Sequence, residues 1–102
     1  MNDPMLLASR LKELAKLASQ ANTEFEKAAV YAATSSIQAE FDAVEKDFDG
    51  YTLEKVFQAC RHICAAVGYD TTNGHESDQH IVWAYGSISS LKTQLESRTR
   101  EQ

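Results

Sequence analysis

One proline and four glycines in 102 residues leave the backbone few places where it must turn. Neither residue occurs between Met5 and Asp49, so long helices meet no obvious breaker there. β-branched residues are also scarce. Five valines and four isoleucines stand against fourteen alanines, a balance that favours helix over strand. Two cysteines are too few for a disulfide framework. The start, Met1-Asn2-Asp3-Pro4, has no basic stretch ahead of an apolar one, and Arg10, Lys12 and Lys16 interrupt the segment after it. The expectation is a cytoplasmic chain with reduced thiols. No apolar run approaches the roughly 18–20 residues of a membrane span.

Basic residues are outnumbered, ten against fifteen acids, for a net charge of −5. Nucleic-acid backbones are gripped by an excess of Lys and Arg, so direct nucleic-acid binding is not expected. The chain also lacks G-x-S-x-G, a Gly-rich phosphate loop and H-E-x-x-H. No residue therefore takes a catalytic role, and no cofactor is expected. With 43% hydrophobic and 25% charged residues, and no repeat or linker, residues 1–102 read as a single globular domain.

What is present is helical periodicity. Asp3-Pro4 is a start signal, and Leu7, Leu11, Leu14, Ala18 and Ala21 form one stripe that Leu6 and Leu17 widen. At Asn22-Thr23 two readings are open. The spacing runs on through Phe25, Ala28 and Ala32, which would make residues 4–47 one helix. Thr23-Glu24-Phe25-Glu26 matches a capping box, which favours a break and a second helix. That second helix carries Val30, Ala33, Ile37, Phe41, Val44 and Phe48 on one face and is expected to end near Asp49-Gly50. Thr52 is the expected cap of a third helix, whose stripe is Leu53, Val56, Phe57, Cys60, Ile63, Cys64 and Val67. Gly68 is its left-handed stop, and Tyr69 can close back on the last turn. A loop covers residues 69–76. Ser77 is the expected cap of a fourth helix with Ile81, Tyr85, Ile88, Leu91 and Leu95 as its seam. Gly86 within it suggests a close helix contact. The fold class is all-α, a small helical bundle of three to four helices with short connections.

Two sets of residues invite a functional reading. Cys60, Cys64, His75 and His80 supply four borderline ligands, the basis for a small metal-dependent or thiol enzyme. Their C-x3-C and H-x4-H spacing is not a standard zinc or redox pattern, and both cysteines fall on an apolar stripe. The core reading is therefore preferred and no metal is expected. Asp47-Phe48-Asp49-Gly50 resembles the start of a calcium loop, but Val56 stands where the bidentate Glu should be.

The second set is acidic. Glu40, Asp42, Glu45, Asp47, Asp49 and Glu54 crowd one stretch that has a single base, Lys46. Such a face can dock a basic partner, and Tyr31 and Trp83, both off the main stripes, are further interface candidates. The expected function is a non-catalytic protein–protein interaction module. It would be an inhibitor, immunity or accessory factor of bacterial or phage type, acting on a protein partner with a basic surface or as a homodimer.

Overall fold

The computed structural model describes residues 4–44, 46, 48–69 and 77–100. They form four helices, α1 (Pro4–Gln20), α2 (Glu24–Ala43), α3 (Gly50–Ala66) and α4 (Ser77–Arg100). No strand occurs among the described residues. Asp3, Glu45, Asp47 and residues 70–76, where a loop was expected and where His75 falls, lie outside them.

The stripe of α1 is buried at Leu7, Leu11, Leu14 and Ala18. Ala8 and Ala15 complete it, whereas Leu6 and Leu17, expected to widen it, are about half exposed. The chain then breaks, as the capping box requires. Thr23 Oγ1 accepts a hydrogen bond from the Glu26 backbone N–H at 3.0 Å, and Glu26 Oε1 accepts from the Thr23 N–H at 3.0 Å. The Asn22 N–H also donates to that carboxylate, at 3.1 Å. The single-helix reading fails at Phe25, which is 84% exposed rather than part of a continuing stripe.

Helix α2 buries Val30, Thr34, Ile37 and Phe41. Thr34 is accommodated because its hydroxyl donates to the Val30 carbonyl at 2.7 Å. The helix ends at Ala43, short of the expected Asp49-Gly50, and Val44 caps it. Phe48 continues the apolar spacing but lies outside the helix. Its ring packs back on Phe41, with centroids 6.2 Å apart, so periodicity overran the true end.

Two cap assignments are corrected at the next start. Gly50 opens α3 instead of stopping α2, and Asp49 rather than Thr52 is the N-cap. Asp49 Oδ1 accepts from the Thr52 N–H at 2.8 Å, while the Thr52 side chain is buried in the first turn. The other end of α3 matches expectation. Gly68 has φ of 90°, its N–H donates to the Ala65 carbonyl, and the Tyr69 N–H donates to the Cys64 carbonyl, each at 3.0 Å. These two bonds make a Schellman stop. Ser77, expected as the cap, is the first residue of α4. Ile81, Ile88, Leu91 and Leu95 bury the expected seam, with Ala84 between them and Tyr85 partly buried against it.

Side-chain pairs fix the helix directions. His62 meets His80, Gln58 meets Ser87 and Asp49 meets Gln94, so α3 and α4 run antiparallel. Leu14 and Leu17 share a groove with Ala29, Val30 and Ala33, while Arg10 and Glu13 share one with Ser36 and Glu40. That places α1 antiparallel to α2. Tyr31 on α2 stacks on Tyr69 just beyond α3, which does the same for that pair. The result is an up-and-down four-helix bundle measuring 44 × 24 × 20 Å. Helices α3 and α4 share the largest interface.

Candidate functional site

Helix α3 separates two surface grooves, because residues two apart on a helix point to nearly opposite sides. Cys60 and Cys64 lie toward α2, and His62 lies toward α4. The candidate metal set is divided accordingly. Cys60 is buried in the core, Cys64 lines the α2–α3 groove, and His80 is on the α4 side. Burial pushes the Cys60 thiol from 9.0 up to about 12, and nearby Cys64 and Asp42 add to the push. Such a thiol is inert near neutral pH. Among the described residues no three His, Cys, Asp or Glu side chains come together as a metal site.

The α2–α3 groove has a volume of about 360 Å³ and is lined by Tyr31, Ser35, Gln38, Phe57, Cys60, Arg61, Cys64 and Tyr69. The Tyr31 and Tyr69 rings stack with centroids 4.3 Å apart and planes 12° from parallel. Tyr31, Phe57 and Tyr69 remain 40%, 51% and 47% exposed. Tyr31 was expected at a surface of this kind. Phe57 was expected in the core; its position at the edge of the stripe, three residues before Cys60, turns it outward.

The α3–α4 groove is larger, about 660 Å³, and more polar, with Lys55, Gln58, His62, Val82, Trp83, Gly86, Ser87 and Ser90 around it. Trp83, off the main stripe of α4, sits beside Gly86, Ser87 and Ser90. Gly86 does not mark a close helix contact: a Cβ there would meet nothing within 4 Å. Its missing side chain instead keeps the groove open. Gln58 links the walls, accepting from Lys55 Nζ at 3.3 Å and from Ser87 Oγ at 3.5 Å. The Lys55 ammonium also lies 5.3 Å from the Tyr51 ring centroid.

His62, which sequence reasoning passed over, is the residue His80 meets. Their Nδ1 atoms are 3.1 Å apart, and Trp83 closes a triangle of rings with centroids 5.3 and 5.6 Å from the two imidazoles. The available signal was positional. Each histidine precedes a core isoleucine, Ile63 or Ile81, and so flanks the same seam.

The four described acidic candidates, Glu40, Asp42, Asp49 and Glu54, share one end of the bundle but not one face. Glu40 lies toward α1 in a groove with Arg10 and Glu13. Asp42 is exposed and close enough to act on Cys60. Asp49 caps α3, and Glu54 is exposed, accepting from Gln58 Nε2 at 3.4 Å. Glu45 and Asp47 lie outside the described residues. The antiparallel topology also returns Arg10 of α1 and Lys92 of α4 toward this end. Its charge is mixed, not of one sign.

No helix among the described residues is long and apolar enough to cross a membrane. Comparison with known families, with curated proteins and with solved structures finds no match to this chain.

Proposed function

We propose that the chain is a non-catalytic protein–protein interaction module whose docking face is the α2–α3 side. The observation that carries this reading is the exposure of Tyr31, Phe57 and Tyr69 around one groove. Large aromatic side chains held by a stack are preorganised, so binding orders little that is not already ordered. Aromatic residues are also the usual anchors of an interface core. Asp42 continues the α2 side of this face one turn beyond Gln38, and Glu54 continues the exposed edge of α3 one turn before Phe57 and Gln58. The partner surface that fits is apolar at its centre with basic residues at one rim. On this reading the chain would act as a small inhibitor, immunity or accessory factor of bacterial or phage type.

The test begins with the intact chain as bait in a lysate of its source cell. The captured protein is then purified and its binding measured directly. Phe57→Ser should weaken the complex at least tenfold. Asp42→Lys with Glu54→Lys should slow association at low salt and matter less at high salt. Leu17→Ser, on the α1 side, should change neither. Full binding by Phe57→Ser, or loss with Leu17→Ser alone, would remove the α2–α3 face from consideration. Sedimentation of the chain by itself decides the homodimer: a dimer that Phe57→Ser dissociates would make a second copy the occupant.

A further inference from the structure

Leu6 and Leu17 are the large apolar side chains that α1 leaves outside the core, 49% and 50% exposed. Arg10 and Glu13 stand between them and are exposed as well. The four positions follow one another at spacings of four, three and four. On a helix that spacing makes a straight seam, the pattern through which two helices pack along each other. Arg10, Glu13 and Leu17 also border the surface between α1 and α2, where α2 presents the small side chains of Ala29, Ala33 and Ser36. A further helix laid along the seam meets no bulky neighbour from α2 there. Among the described residues, neither Arg10 nor Glu13 has an ion-pair partner within the chain.

The seam is complementary to itself, and in one direction only. Two copies of α1 can run antiparallel about a two-fold axis midway between Arg10 and Glu13. Leu6 of each copy then meets Leu17 of the other, and Arg10 of each meets Glu13 of the other. All four contacts join apolar to apolar or opposite charges, as a two-fold interface requires. Parallel copies in register would instead set Arg10 on Arg10 and Glu13 on Glu13, and like charges so placed repel. The four layers span about 17 Å of helix, well inside the 17 residues of α1.

We infer that the outer side of α1 is an interface for a second copy of this chain, docked antiparallel through Leu6, Arg10, Glu13 and Leu17. The leucines supply the apolar contact at both ends, and the two central charge pairs fix direction and register. A net charge of −5 on each copy opposes the encounter, so the dimer is a weak one that forms as concentration rises. Helix α2 lies between this seam and the groove around Tyr31, Phe57 and Tyr69. The inference therefore does not depend on the proposed docking face, and different variants read the two surfaces.

Sedimentation velocity of the intact chain over a range of concentrations is the test. Wild type should pass from monomer to dimer between micromolar and millimolar concentration. Leu17→Ser should weaken the dimer at least tenfold, and Phe57→Ser should leave it unchanged. Arg10→Glu and Glu13→Arg, each alone, put like charges in both central contacts, and each should weaken self-association at least tenfold. Mixed in equal amounts, these two variants should associate with each other about as tightly as wild type does with itself, because each central contact again joins opposite charges. All the substituted side chains are exposed, so helical content by circular dichroism should not change. A chain that stays monomeric up to about 1 mM, a dimer that Leu17→Ser leaves intact, or charge variants that fail to associate when mixed would overturn the inference. A dimer that Phe57→Ser breaks would do so too, and would move the second copy to the α2–α3 face.

Discussion

Phe41 and Phe25 belong to the same helix and the same residue type, and burial alone separates them. Phe41 is fully buried and touches Phe48, while Phe25 projects into solvent beside the capping box. Phe41→Ala should cost about 3–5 kcal/mol, from lost transfer energy and the cavity left behind. Phe25→Ala should stay within about 0.5 kcal/mol of wild type. Urea titration of both variants checks the pair, and an unchanged midpoint for Phe41→Ala would reject the core assignment. The two cysteines separate likewise. The folded state keeps Cys60 protonated up to about 12, whereas an unfolded thiol ionises near 9.0. Its contribution is thus complete below 9.0 and is lost as pH rises toward 12. Cys60→Ala should be less stable at neutral pH yet lose less between these values. In wild type a thiol reagent at neutral pH should modify Cys64 before Cys60, which peptide mass mapping would show.

At the scale of the helix, the ends decide what the periodicity leaves open. Thr23→Ala removes one half of the capping box and should cost about 1 kcal/mol. Glu26 supplies the other half, and the hydrogen bonds from Asn22 and Thr23 hold its carboxyl below the ordinary 4.5. A depressed carboxylate stabilises above its unfolded value and loses that effect as pH falls through the folded one. Glu26→Gln should therefore flatten part of the acid limb of a thermal-stability profile below about 4.5. Glycine gives a contrast of sign. Gly68 has φ of 90°, where a side chain is strained, and Gly68→Ala should destabilise by about 1 kcal/mol. Gly86 is helical with open space around it, so Gly86→Ala should stabilise by about 0.5–1 kcal/mol. A lower melting temperature for Gly86→Ala would mean that the groove cannot accept a methyl group.

These ends also show how far the sequence could be read. The start of α2 and the stop of α3 were legible because each is encoded within a few neighbouring residues: Thr23 with Glu26, and Gly68 with Tyr69. The end of α2 was not, because Val44 and Phe48 keep the helical spacing while Phe48 takes its contact from a different backbone path. Where that end falls also sets the sign of an electrostatic effect. Asp49 at a helix C-terminus would oppose the dipole, but as the N-cap of α3 it favours it. The pairing of His62 with His80 and the Tyr31–Tyr69 stack depend on the register between helices, which no single stripe contains. Likewise, the mixed charge at one end comes from topology, since only antiparallel packing brings Arg10 and Lys92 back toward Glu40, Asp42 and Glu54.

At the scale of the molecule, the four helices are not equally held. Helix α3 packs against each of the other three, and its interface with α4 is the largest. It buries seven residues, including Val56, Ala59, Cys60 and Ile63, whereas the longer α2 buries four, one of them the polar Thr34. Local opening tracks such differences, because an element with few buried apolar contacts detaches at less than the global free energy. Helix α2 should therefore be the first to open and the α3–α4 pair the last. Native-state hydrogen exchange would rank the amides near Ile63 and Ile88 among the slowest, exchanging only with global unfolding. Those of α2 around Val30 and Thr34 should exchange sooner, by a smaller opening that denaturant accelerates less. A partner docked on Tyr31, Phe57 and Tyr69 would clamp α2 to α3 and slow α2 selectively. If α2 exchanges with α3 and α4 as one unit in the isolated chain, the bundle opens all at once, and the unequal burial has no dynamic consequence for the α2–α3 face.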